Sequence, residues 1–233
     1  MITHKFNHLE ISGIIFDLDG VITNTASIHK MAWKKSFDRY LKIFSKKKFS
    51  TEDYLKHIDG KPRLKGINDY LIYRNIPITK PLIDIINLEK NKLFLNLIQK
   101  TKIEIYPDAI NLLKDIKKYK IKVAVASSSK NCRLILKKIK ISDMFDFIID
   151  GVDLENKKIR GKPDPDIFLH AIEKLNLNQK KTLIFEDSSS GVIAAAKSKT
   201  KFVIGVARNA NEMELKKSGA YITVNSINQI RIS

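Results

Sequence analysis

Two aspartates, Asp17 and Asp19, stand two residues apart directly after an apolar run, and a second acidic pair, Glu186 and Asp187, follows another. Paired carboxylates can divide labour, one attacking an electrophile while the other moves protons. A carboxylate that approaches a phosphate needs a cation between the like charges, and hard cations such as Mg2+ take oxygen ligands. Two acidic clusters at one edge of a fold would complete a magnesium site, whereas either cluster alone reads equally well as turn formers and helix caps. A third group, Ser127, Ser128, Ser129, Lys130 and Asn131, also follows an apolar run and is expected to open a helix. Hydroxyls and free N–H groups there suit an anion, and surplus serines around an N-cap are the plainer reading. Lys162 lies within Gly161-Lys162-Pro163-Asp164-Pro165-Asp166, before a predicted helix that Asp164 or Asp166 would cap. Its charge would offset that of a transferring phosphoryl group.

The elements that must carry these residues are short apolar runs rich in β-branched side chains, at 11–16, 121–126, 147–149, 182–185 and 202–206. Polar or helical stretches separate them, and such alternation predicts an α/β, Rossmann-like parallel sheet with helices on both faces. Ligands of such sheets bind outside the carboxyl ends of the strands, which would bring Asp17, Ser127 and Asp187 to one rim. Between about 25 and 102 the strand signals give way to amphipathic patterns over 29–40 and 83–99, with Pro77 and Pro81 marking a turn between helices. This stretch reads as a helical cap inserted over the rim. The core is then 1–24 and 103–233, resuming near Pro107 and Asp108, residues suited to a helix N-terminus, and the cap is 25–102. Segments 24–25 and 100–105 are the expected hinges of a cap that closes to exclude water.

With 43% hydrophobic and 29% charged residues among 233, the chain has the make-up of a folded globular protein. No apolar run approaches the roughly 20 residues needed to cross a bilayer. The first residues lack the apolar core of an export signal, and Cys132, the single cysteine, has no partner for an internal disulfide. A cytoplasmic monomer is the expectation. The formal charge of +18 invites a nucleic-acid partner, yet the lysines are spread from Lys5 to Lys217, without an Arg-rich arm or zinc-finger spacing. A lysine-heavy composition that helps capture anionic small molecules is the simpler reading.

Taken in order, Asp17-Leu18-Asp19-Gly20-Val21-Ile22-Thr23, Ser127, Lys162 and Glu186-Asp187 resemble the four motifs of the haloacid dehalogenase superfamily, across essentially the whole chain. The second aspartate separates its phosphotransferase members from its dehalogenases. Within it, the stretch from Asp19 through Thr25 and His29 to Trp33 resembles the β-phosphoglucomutase-like subfamily. So do Ser127 to Asn131, and the loop Asp59-Gly60-Lys61-Pro62-Arg63, which is also similar to relatives encoded beside or fused to trehalose- and maltose-phosphorylase-type enzymes. Three features depart from the mutase pattern: Asn24 in place of Asp, Asp59 in place of Lys, and a longer cap between Ser45 and Asp59.

The resemblance implies a nucleophile at Asp17 and an acid/base at Asp19. It implies Mg2+ held by Asp17, the backbone carbonyl of Asp19 and Asp187, with Glu186 in support. Ser127 and Lys162 would bind the transferring phosphoryl group. A second, distal phosphate would be held by Arg63 with Ser129, Lys130 and Asn131, while Ser128 and the cap-loop residues Gly60 and Lys61 would join the substrate-binding set. Thr25, His29 and Trp33 would line the acid/base and sugar-facing side. Two reactions follow: a phosphohexomutase converting β-glucose 1-phosphate to glucose 6-phosphate, with glucose 1,6-bisphosphate as activator, or a phosphatase of sugar phosphates and other small monoesters.

Overall fold

The computed structural model describes residues 3–208 and 210–233. Its strands are β1 (His4–Phe6), β2 (Gly13–Phe16), β3 (Lys122–Ala126), β4 (Phe147–Ile149), β5 (Thr182–Glu186), β6 (Phe202–Val206), β7 (Ile222–Val224) and β8 (Ile230–Ile232). Six form one parallel sheet in the order β4-β3-β2-β5-β6-β7, while β1 pairs with β8 in a small sheet of their own. The expected α/β fold is borne out. The three strands β1, β7 and β8 were not anticipated, since each is three residues long and, unlike β4, none is a continuous apolar run.

β2 is buried at all four residues, as a central parallel strand covered on both faces must be. Alternate residues go to opposite faces. Ile14 and Phe16 join Val123, Val125 and Phe185 beneath helices α5 (Pro107–Ile116) and α6 (Cys132–Lys138). Ile15 instead joins Ala124, Ala126 and Ile184 beneath α8 (Asp166–Lys174) and α9 (Ser189–Lys197), with Leu215 of α10 (Glu212–Lys217) at the margin. The short helix α7 (Gly151–Asn156) follows β4, capped by Asp150. Phe16 pairs in register with both Val125 and Phe185, so β2, β3 and β5 end level. The residues that follow them therefore meet at one rim.

Above that rim lie α1 (Ala26–Ile43), α2 (Thr51–Asp53), α3 (Arg63–Tyr73) and α4 (Lys80–Lys100), with a five-residue π-helical turn over Tyr54–Ile58. They bury a cluster of their own that includes Trp33, Phe37, Phe49, Tyr70 and Ile86. α1 and α4 are both longer than their amphipathic cores suggested. Thr79 accepts from the Leu82 amide and Pro81 sits in the first turn, which starts α4 early. The extra cap residues after Ser45 are used structurally. Phe49 plugs the cap core, and Ser50 forms a capping box with Asp53 that launches the turn toward Asp59.

Two local expectations need correction. Neither Asp164 nor Asp166 caps α8, whose N-cap is Pro165 without a side-chain bond; Asp166 instead takes Arg160 in two hydrogen bonds of 2.7 and 2.9 Å. Nor does a serine cap α6, since Ser127 and Ser129 accept from the amides of Ser129 and Asn131 in the turn before it. Asp108 has a larger task than starting a helix. It accepts from Arg208 (2.6 Å), the Ser226 hydroxyl (2.6 Å) and the Ile227 amide (2.8 Å), tying α5 to the C-terminal segment. Burial works to raise its carboxyl pKa, but these bonds win and hold it below the ordinary value. Asp108→Ala leaves the partly buried Arg208 guanidinium without its carboxylate, and a loss of about 2–3 kcal/mol in urea unfolding is expected. A loss under about 1 kcal/mol would make the network dispensable.

Candidate active site

β2 delivers Asp17 to the rim, its amide bonded to the Phe185 carbonyl at 2.9 Å, while Ser127 follows β3 with its amide on Ile149 at 3.1 Å. After Asp17 the chain folds into a compact loop. The amides of Ile22 and Thr23 both bond to the Leu18 carbonyl, and Gly20 turns at a φ of +94°. Glycine is required there for a second reason, because a Cβ would fall 1.8 Å from an Asp187 carboxylate oxygen. The loop is thus shaped to let Asp187 stand beside it. Asp19 is turned toward the cap, its Oδ1 taking a short hydrogen bond from the Thr25 hydroxyl.

One cavity between sheet rim and cap is lined by Asp17, Asp19, Ser127 and Asp187 from below and by His29, Trp33, Gly60, Lys61 and Arg63 from above. Ser128, Ser129 and Lys130 close its side. Four expected residues stand behind the wall. Thr25 holds Asp19, and Asn131 bonds to Asn91 at 3.1 Å. Lys162, 0% exposed, reaches Asp17, Glu186 and the Ala126 carbonyl. Glu186 is not free to coordinate: one oxygen takes Lys162 and the other accepts from the Asp187 and Ser188 amides and the Ser188 hydroxyl. These bonds suit the supporting place expected of it beside Asp17 and Asp187. Two cap-loop and serine-turn lysines also have partners, Lys61 with Asp69 at 2.8 Å and Lys130 with Glu155 at 2.6 Å.

The cap loop is pinned to the core through its backbone. Ser190 Oγ donates to the Asp59 carbonyl at 2.6 Å and Ser128 Oγ to the Gly60 carbonyl at 2.8 Å. A Cβ at Gly60, whose φ is +70°, would lie 2.1 Å from Ser188 Oγ. A serine of the turn after β3 and one of the turn after Glu186-Asp187 therefore hold the cap down. Neither the sequence patterns nor the resemblance assigned them that role.

Sequence reasoning also missed Lys90. It is 2% exposed, in the buried row Ile86, Lys90, Phe94, Ile98 along α4. A lysine in an otherwise apolar i, i+4 row was the available signal. Its Nζ lies 2.8 Å from His29 Nδ1 and over the rings of Trp33 and Phe94, at 5.0 and 4.7 Å. Burial, with Arg63 nearby, drives its pKa well below the usual lysine value. His29 Nε2 is 3.5 Å from Asp19 Oδ1. Asp19 is held below the ordinary carboxylate value: burial opposes this, but His29, Thr25 and Lys90 prevail.

Burial and Lys90 lower His29 to about 4, so the folded chain carries it neutral at pH 7. An unfolded histidine titrates near its ordinary value of about 6.5. Protons are then bound preferentially by the unfolded state between those values, and stability falls as pH drops from 6.5 toward 4. Wild type is expected to lose about 2–3 kcal/mol more than His29→Gln between pH 7.5 and 4.5, read by urea unfolding at each pH. Parallel curves for the two proteins would show that His29 is not charged at a cost.

The acidic end of the cavity has surplus negative charge. Burial pushes Asp17 up to about 8 despite Lys162, with Glu186 and Asp19 adding to the rise. Burial, then Asp59, Glu186 and Asp17, carries Asp187 well above its usual value, and Asp59 itself is pushed up to about 6, chiefly by burial. Lys162 keeps its charge, since contact with Asp17 and Glu186 outweighs burial. Among the described residues no three His, Cys, Asp or Glu side chains converge as a metal-holding group. Two half-screened carboxylates beside a backbone turn, crowded by further acids, nevertheless form a hard-oxygen environment in which a small divalent cation fits.

The family of haloacid dehalogenase-like hydrolases matches residues 14–205, and the chain belongs to it. Its relatives narrow the class. A β-phosphoglucomutase of Mycobacterium bovis is 31% identical over 240 residues, covering 95% of this chain and 92% of that one. A crystal structure of β-phosphoglucomutase from Clostridium difficile superposes with a TM-score of 0.79 at 33% identity, covering 94% of this chain and 92% of its own. The resemblance to the β-phosphoglucomutase-like subfamily is borne out. A phosphorylated carbohydrates phosphatase of Thermotoga maritima is 29% identical over 220 residues, covering 92% of this chain and 94% of its own. Among the described residues no helix is long and apolar enough to cross a membrane.

Proposed function

We propose that the chain is a phosphohexomutase that works through a phosphoryl group on Asp17, converting β-glucose 1-phosphate to glucose 6-phosphate by way of glucose 1,6-bisphosphate. The observation that supports this reading is that a single cavity is lined both by Asp17 and Ser127 and by Arg63, Ser129 and Lys130, enough groups for two phosphates. A mutase must hold a phosphate at each end of its sugar, whereas hydrolysis of a small monoester needs one pole only.

In the forward half-reaction Asp19 takes the proton of the acceptor hydroxyl as that oxygen attacks the phosphoryl group on Asp17, whose P–O bond to the carboxylate breaks. After the bisphosphate turns over, Asp17 attacks its other phosphorus and Asp19 returns the proton to the departing sugar oxygen. The Ser127 hydroxyl and Lys162 hold the transferring oxygens, and Thr25 and His29 keep Asp19 aimed. Mg2+, bound by Asp17, Asp187 and the backbone carbonyl of Asp19, would offset the charge between nucleophile and phosphate. Distal binding by Arg63 closes the cap and excludes water, favouring a sugar hydroxyl as acceptor.

The phosphatase relative supports a second reading, in which water accepts the phosphoryl group. Phosphorus NMR separates the two, using β-glucose 1-phosphate, Mg2+ and a trace of glucose 1,6-bisphosphate. Glucose 6-phosphate is expected to grow faster than inorganic phosphate. Inorganic phosphate as the main product would replace the mutase with a sugar phosphatase.

A further inference from the structure

Arg63 is 9% exposed at the start of α3, yet among the described residues no carboxylate lies within ion-pair distance of it. Its guanidinium is satisfied by two neutral amides of α4 instead. One NH2 group donates to Asn87 Oδ1 at 3.3 Å and the other to Asn91 Oδ1 at 2.9 Å. Asn91 Oδ1 also accepts from the core, taking Asn131 Nδ2 at 3.1 Å. A guanidinium has no acceptor, so the Asn91 oxygen must be the atom that faces it, and the two donors use both its lone pairs.

Amide oxygens can orient a guanidinium as a carboxylate does, but they leave its charge uncancelled. Burial, opposed only by Glu155, lowers Arg63 to about 10, so it remains cationic at neutral pH. A buried, oriented and unneutralised cation facing a cavity is incomplete without an anion. We infer that Asn87 and Asn91 are positioning residues for the distal site: they hold Arg63 in one plane for a phosphate dianion, and Asn91 couples that pose to cap closure by joining cap Arg63 to core Asn131. This rests on the two-phosphate reading above and names what assembles its second pole. The face that does so, Asn87, Lys90 and Asn91 at i, i+3 and i+4 on α4, serves both ends of the cavity.

The test compares Asn91→Asp with Asn91→Ala. Aspartate keeps the shape and supplies a competing charge; alanine removes the bonds and the shape together. If Asn91 only packs the cap, Asn91→Ala is the worse variant. If it positions an uncancelled charge, Asn91→Asp is worse, weakening glucose 6-phosphate binding by about 10- to 100-fold in titration calorimetry, as loss of a charge-assisted contact predicts. That penalty is expected to vanish in an Arg63→Met background, because the competing charge then has nothing to cancel. Thermal melting of each variant confirms that folded protein is compared. Asn91→Asp binding like wild type, Asn91→Ala binding more weakly than Asn91→Asp, or a penalty that persists without Arg63 each overturns the inference. Failure of the mutase reading shows elsewhere: no glucose 6-phosphate forms in the NMR experiment, while the order of the two variants still reports on Arg63.

Discussion

Asp17→Asn is expected to fold as wild type does and to lose at least about 10⁴-fold in turnover, whichever acceptor the enzyme uses. An amide has the shape of the carboxylate but no nucleophilic oxygen anion, so neither a sugar phosphate nor a bisphosphate can load the chain. The substitution is mild for the fold because Lys162 keeps Glu186 as its counter-charge. Removing a charge that burial already disfavours leaves the apo protein as stable as wild type or slightly more so. Turnover by phosphorus NMR, with phosphate retained on acid-quenched protein as the second readout, checks both halves. Retention of more than about 1% of the turnover would place the nucleophile elsewhere.

Lys162→Met carries the largest expected cost in stability. Lys162 is fully enclosed and is the cation shared by Asp17 and Glu186, with the Ala126 carbonyl as its third acceptor. Methionine fits the channel but leaves two buried carboxylates facing each other, and breaking such a pair costs about 3–5 kcal/mol. For a chain of this size that corresponds to roughly 6–20 °C in Tm. The deficit is expected to shrink as pH falls, since protonating one carboxyl removes the repulsion, a trend opposite to the His29 effect in wild type. Asp17 already sits at about 8 beside Lys162 and higher without it, so melting curves of both proteins from pH 10 to 7 read this directly. A constant deficit across that range would mean that the loss comes from packing and not from charge.

The framework of this site was legible from short stretches of chain. Each of Asp17, Ser127 and Asp187 follows an apolar run, and parallel strands covered by helices must end where the chain turns, so the rim could be inferred from local patterning. The order and spacing of the four motifs named the family for the same reason. Each motif is a strand end with its turn, and the chemistry needs those residue types there. Gly20 was visible as a turn former, but its second constraint, the Asp187 carboxylate, comes from 167 residues further along the chain and was not.

What only tertiary structure decided is how the charges are partnered. Lys90 read as one lysine among many until α4 packed it against His29, 61 residues away, and Lys162 reaches Asp17 across 145 residues. Glu186 had the residue type of a metal ligand, yet backbone amides and Lys162 occupy both its oxygens. Asn87 and Asn91 carry no motif, and their role exists only because α3 and α4 cross where Arg63 begins. Sequence alone determined which residues have reactive atoms and which strand ends present them, because secondary structure and turns are set by neighbours along the chain. The packing of distant elements determined which of those atoms are free, since hydrogen bonds and burial are settled by neighbours in space.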